Sequence, residues 1–206
     1  MKTNQLEDYY LYLEKVTAKI DSFFMQQKPY IFCKEGCSKC CQNGEYPCSE
    51  LEFSFLLLGF AMLKNETKKK IIEKTKLLKE LNAKNPNKIF KCECPFLINN
   101  KCSVYKFRPI ICRTFGLPYY DKNKKVKIPF CYEFGLNYSQ VYDKEKQILS
   151  DELQKQAGIK QEPLAFNLSL SFLINQVGKE GMQLDFGEQR TITDWMIDFF
   201  DETTIH

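Results

Sequence analysis

Cys33, Cys37, Cys40 and Cys41 place four thiols within nine residues. A stretch so dense in sulfur constrains the fold more than any hydrophobic pattern does, because every thiol in it must be bridged, buried or bound. Zinc, iron and iron–sulfur clusters all accept thiolate ligands, and several thiolates from one short loop reach a shared centre at small entropic cost. Disulfides or merely buried thiols are the alternative that spacing alone leaves open.

The chain has 206 residues and ten cysteines, with 44% hydrophobic and 27% charged residues. That length suits one domain with a real core, and the composition is that of a globular protein. Met1 to Asp8 contain no apolar signal region, and no run of about 18 apolar residues occurs. The expectation is a cytoplasmic chain with no membrane partner. Cysteines in a reducing compartment are seldom held as disulfides, which moves the reading toward metal. The net charge of +4 gives no support for a nucleic-acid partner. Eight thiols holding two zinc ions would shed eight protons and gain four positive charges, bringing the balance to about zero.

From Asn4 to about Gln27, apolar residues at Leu6, Tyr9, Tyr10, Leu13, Val16, Ile20, Phe23 and Phe24 follow helical spacing. Pro29 ends that helix, and Tyr30 to Phe32 lead out in extended form. Ser49-Glu50-Leu51-Glu52 has the form of a capping box ahead of a very apolar helix running to about Leu63. Phe53, Phe55, Leu56, Leu57, Leu58, Phe60 and Leu63 surround that helix, which predicts a place at the centre of the core. A second amphipathic helix, Asn65 to about Leu81, turns Ile71, Ile72, Thr75, Leu78 and Leu81 inward and is closed by Pro86. Glu66, Glu73 and Glu80 interrupt its lysines and no aromatics alternate with them, so the charged face reads as solvated and nucleic acid is disfavoured.

Asn99-Asn100 predicts a tight turn that brings Cys94 and Cys102 together. Pro109 and Gly116 bracket a short helix carrying Cys112. Tyr119-Tyr120-Asp121 and Val126-Lys127-Ile128 predict a hairpin returning the chain to Cys131. Helices over Asp143 to Gln156 with Gly158 as stop, Leu164 to Val177 and Thr193 to Asp201 predict an all-helical tail. The fold class is therefore mainly α: a single irregular helical domain over 1–206 with a small β-hairpin, organised around a cysteine-ligated metal site. Residues 30–131 form its metal-binding core and 132–206 a helical extension.

The one histidine in the sequence is His206 at its end. A metal site must then be nearly all sulfur, which suits zinc or iron–sulfur and disfavours magnesium, calcium and facial-triad iron. Hydrolases built on Ser-His-Asp or Cys-His are excluded on the same ground. The ordered combination Cys-x3-Cys-x2-Cys-Cys at Cys33 to Cys41, Cys94-Pro95-Phe96-Leu97, Cys102-Ser103-Val104-Tyr105, Arg108-Pro109 and Cys112-Arg113-Thr114-Phe115 resembles the YkgJ-like cysteine-cluster proteins, described as a zinc- or iron-chelating domain. The resemblance covers about Phe32 to Cys131, and Cys131 looks like the counterpart of a further cysteine found in many members. It implies a bound metal, zinc or an iron–sulfur cluster, and leaves the activity undefined. Pattern and resemblance together give eight candidate ligands: Cys33, Cys37, Cys40, Cys41, Cys94, Cys102, Cys112 and Cys131.

Cys48 and Cys92 are additional to the shared pattern and read either as extra ligands or as small buried thiols. Arg108 and Arg113 would offset the negative charge of a thiolate site, with surface salt bridging as the alternative. Tyr105 reads as a core aromatic. The CPFL-type segment carries a more distant resemblance to the cysteine-rich region of flagellin lysine N-methylases. Two functions follow as expectations. The first is a metal-binding protein whose centre is structural, handles metal or transfers electrons. The second is an iron–sulfur-dependent enzyme or accessory protein that modifies a protein or peptide partner. Cys33, Cys37 and Cys40 also satisfy Cys-x3-Cys-x2-Cys, but radical SAM chemistry needs a large partial barrel that this helical pattern does not supply.

Overall fold

Ser49 and Ser150 cap the starts of two helices, and Gly158 at positive φ follows the end of the second. In the computed structural model, which describes residues 3–34, 36–43, 45–84 and 92–203, the helices are α1 (Thr3–Gln26), α2 (Lys39–Asn43), α3 (Glu50–Ala61), α4 (Asn65–Lys84), α5 (Ile110–Thr114), α6 (Asp151–Gln156) and α7 (Ile192–Thr203), with a π-type helix at Phe172–Glu180. The strands are short: β1 (Pro47–Ser49), β2 (Leu97–Ile98), β3 (Lys101–Cys102), β4 (Tyr119–Tyr120), β5 (Val126–Lys127), β6 (Tyr142–Asp143), β7 (Ile148–Leu149) and β8 (Gln189–Thr191). The chain is mainly α, as its sequence predicts, and Pro86 and His206 lie outside the described residues. No helix among the described residues is long and apolar enough to cross a membrane.

The described residues divide into two units, one drawn from the stretches Met1–Leu6, Gly36–Cys112 and Asp185–His206, the other from Glu7–Glu35 and Arg113–Leu184. In the first unit the predicted capping box closes on α3: the Ser49 hydroxyl accepts the Glu52 amide at 3.3 Å, and the Glu52 carboxylate accepts the Ser49 amide at 2.9 Å. Leu51, Phe53, Phe55 and Leu56 are buried, so α3 is a core helix, although Leu58 faces solvent. A Cβ on Gly59 would stand 2.5 Å from the Phe107 ring, so only glycine lets the Tyr105–Phe107 turn lie against α3. The antiparallel pairing of β1 with β8 sets Cys48 opposite Arg190 and was not foreseen, because the two strands are distant in sequence and only three residues long. Trp195 of α7 donates its indole N–H to the Cys48 carbonyl at 2.8 Å and stacks on Phe53.

In the second unit α1 buries Tyr9, Tyr12, Leu13, Val16 and Ile20. Tyr12 takes the inward place expected of Tyr10, because its hydroxyl donates to the Leu173 carbonyl at 2.9 Å while Tyr10 pairs with Glu14 in solvent. Lys28–Tyr30 form one 3-10 turn before the chain extends. The predicted β4–β5 hairpin is present. The tail is not all helical. Asp143 accepts the amides of Glu145 and Lys146 in a turn that pairs β6 with β7, so the helix expected from Asp143 starts only at Asp151, capped by the Ser150 hydroxyl, which accepts the Leu153 amide. The helix expected from Leu164 likewise starts later, since Phe166 bridges to Tyr119 in extended form.

Candidate metal centre

Three stretches of the first unit carry thiols toward one another. Cys40 and Cys41 sit on α2, whose turn is fixed by the Gln42 amide on the Ser38 carbonyl at 2.9 Å. Each carbonyl of the pair is then held separately: the Tyr46 hydroxyl donates to that of Cys40 at 2.8 Å, and the Cys94 amide donates to that of Cys41 at 2.8 Å. The Cys94 bond ties the second cysteine stretch to the first. From there the chain turns through Asn99 and Asn100, both at positive φ as the Asn-Asn turn predicts, and β3 returns Cys102 opposite Leu97. Cys112 rides on α5, and the start of that helix is anchored by the Ile110 amide on the second Glu52 carboxylate oxygen at 2.9 Å. The two sulfurs of Cys40 and Cys41 lie 3.9 Å apart.

These thiols share one electrostatic environment. The Cys41 thiol as hydrogen-bond partner, then burial, raises Cys40 well above an ordinary thiol. Burial pushes Cys94 up to about 12, with the Cys102 charge adding to it. Burial also raises Cys102 and Cys112, and Cys112 feels Cys94, Cys102 and Cys40 in turn. Two cations oppose the trend: Arg108 lowers Cys102 and Cys112, and Lys74 lowers Cys94. Arg108 stacks on Tyr105 at 3.5 Å and its Nη1 reaches the Cys112 carbonyl at 3.5 Å, which brings its charge to bear on Cys102 and Cys112. Tyr105, expected in the core, is 61% exposed and serves as the platform for that guanidinium. Lys74 donates to the Leu97 carbonyl at 2.9 Å and pairs with Glu93. The Tyr46 hydroxyl is held protonated by burial and by the neighbouring Cys40, Cys112, Cys41 and Cys94.

The other five cysteines differ from one another in burial and in partners. Cys37 belongs to the first unit and is half-buried. Cys48 and Cys92 are buried: the Cys48 thiol lies 3.6 Å from the Ser49 carbonyl, the Cys92 thiol 3.6 Å from the Thr193 hydroxyl, which favours the buried-thiol reading for both. Cys33 and Cys131 belong to the second unit. Cys33 is exposed, and its amide and that of Phe32 both donate to Asn137 Oδ1 at 2.9 Å. Cys131 is buried with its thiol 3.6 Å from the Pro129 carbonyl. Arg113 is also in the second unit and donates to the Thr17 hydroxyl. Tyr46, Lys74 and Asn137 have no signature in cysteine spacing, and sequence reasoning missed all three.

Residues 32–132 match a family model for the CxxCxxCC motif, whose description reads "Putative zinc- or iron-chelating domain". The chain carries a CxxCxxCC domain. No curated protein and no solved structure matches it. The donor set fits the metals named for the CxxCxxCC domain: half-buried thiols from three chain segments, cations that offset their charge and no imidazole among them. Among the described residues no group of three or more Cys, His, Asp or Glu side chains is disposed to hold a metal ion as it stands.

Proposed function

We propose that the CxxCxxCC domain binds zinc or iron through thiolates of its first unit, with Cys40, Cys41, Cys94, Cys102 and Cys112 as the donors and a structural or metal-handling role. The reading is supported by the Cys94 amide on the Cys41 carbonyl, which ties the second cysteine stretch to the first, with the Cys112 thiol within electrostatic reach of Cys94, Cys102 and Cys40. The bound metal supplies a Lewis-acidic cross-link. The chain supplies the rest. Each donor thiol gives up its proton on binding, Arg108 and Lys74 reduce the negative charge left behind, and Tyr46 keeps the Cys40 peptide from turning away.

Full-length protein purified without oxygen should contain zinc or iron in stoichiometric amount, and Cys112→Ser should lower that content. Folded, metal-free protein with all ten thiols open to alkylation would overturn the reading.

A further inference from the structure

The geometry points to Cys40 and Cys41 as a bidentate claw on one and the same ion of a tetrahedral thiolate centre, an arrangement that a four-iron cluster does not allow. This rests on the metal-binding reading above and sharpens it to a ligand class. A zinc–sulfur bond of about 2.3 Å at the tetrahedral angle sets two sulfurs on one ion about 3.8 Å apart. The Cys40 and Cys41 sulfurs are 3.9 Å apart. In a four-iron cluster each iron takes one cysteine and three sulfides, so two cysteine sulfurs never share an iron and stand farther apart by the separation of the irons.

Adjacent residues do not usually aim their side chains at a common point. Here both peptide units are pinned, one by the Tyr46 hydroxyl and one by the Cys94 amide, on a turn closed by Gln42. Little beyond the two side-chain torsions remains free, and the rotamers present already hold the sulfurs at the edge length of one tetrahedron. The third and fourth positions fall to two of Cys94, Cys102 and Cys112. Binding is balanced as one divalent ion plus four thiols giving a tetrathiolate complex of charge minus two and four released protons, with no change of oxidation state. Tyr46 is a positioning residue for the claw and touches no metal.

The test loads the full chain anaerobically with zinc and, separately, with cobalt, and counts sulfurs by X-ray absorption. Acid-labile sulfide is assayed in the protein as isolated. One ion per chain with four sulfurs is the expected result. Cys40→Ser and Cys41→Ser should each leave three sulfurs and weaken binding by more than the roughly 10–100-fold seen for outer-shell changes. Tyr46→Phe should keep four sulfurs, weaken binding about tenfold and alter the cobalt–thiolate spectrum, a readout that simple loss of stability would not move. Acid-labile sulfide and iron in the ratio of a four-iron cluster overturn the inference while leaving metal binding intact. So does a Cys41→Ser protein that retains four sulfurs and its affinity. Failure to take up either ion, with no iron in the protein as isolated, overturns the metal-binding reading itself.

Discussion

Both oxygens of the Glu52 carboxylate accept hydrogen bonds from buried groups, one from the Ser49 amide and hydroxyl, the other from the Ile110 amide. Glu52 is 1% exposed, so losing it leaves those donors without water to replace it. Glu52→Ala should cost about 3 kcal/mol in urea unfolding, and Glu52→Gln should cost less because the amide retains one acceptor. Asn137 plays the matching part in the second unit. It is 1% exposed, accepts the Phe32 and Cys33 amides and donates to the Gly116 carbonyl at 3.1 Å. Gly116 sits at φ 111°, a conformation that favours glycine, and a Cβ there would stand 2.7 Å from the Asn137 side-chain nitrogen. Asn137→Ala should therefore lower stability by about 2 kcal/mol, and alkylation of Cys33 in the native protein should quicken as its backbone loosens.

Single elements of this fold are legible where the signal is local. The capping box at Ser49, the Asn99-Asn100 turn, the β4–β5 hairpin and the span of α4 follow from residues next to one another in sequence. The reading fails where the decisive partner is distant or the cue is double. Asp143 suits a helix start and a turn equally well, and the Lys146 amide settles it as a turn. The β1–β8 ladder leaves no trace in either short strand. The site shows the same division: its thiols stand out by spacing, whereas Tyr46 and Lys74 matter only because the fold brings them to Cys40 and Cys94. Gly59 tests an element contact directly. Gly59→Ala gains about 1 kcal/mol in helix propensity, yet its Cβ would meet the Phe107 ring at 2.5 Å. The net result should be a loss of about 1 kcal/mol in thermal unfolding, and Gly59→Ala combined with Phe107→Leu should recover it.

For the molecule as a whole, the thiols link stability to pH with a definite sign. Burial pushes Cys94 up to about 12 and raises Cys48, Cys102 and Cys112, whereas unfolded thiols ionise near about 8.5. Between those values the unfolded chain has lost protons that the folded chain keeps. Metal-free stability is thus fully present below the unfolded value and falls as pH rises toward the folded ones. In a chelator, the melting temperature should be lower at about pH 9.5 than at about pH 7.5. Metal binding runs the other way: each thiol must lose a proton, so affinity measured by competition should rise steeply with pH between about 6 and 8, by up to about four log units per pH unit for four thiolates.

Pro47–Ser49 pairs with Gln189–Thr191, and so the unit that holds Cys40 and Cys41 is closed by residues made late in synthesis. Every cysteine from Cys33 to Cys131 precedes that closing strand in the chain. At translation speeds of roughly 5–20 residues per second, the sulfurs of the first unit are made seconds before the β1–β8 ladder can form and Trp195 can reach the Cys48 carbonyl. That interval is a race between oxidant and ion for the same sulfurs.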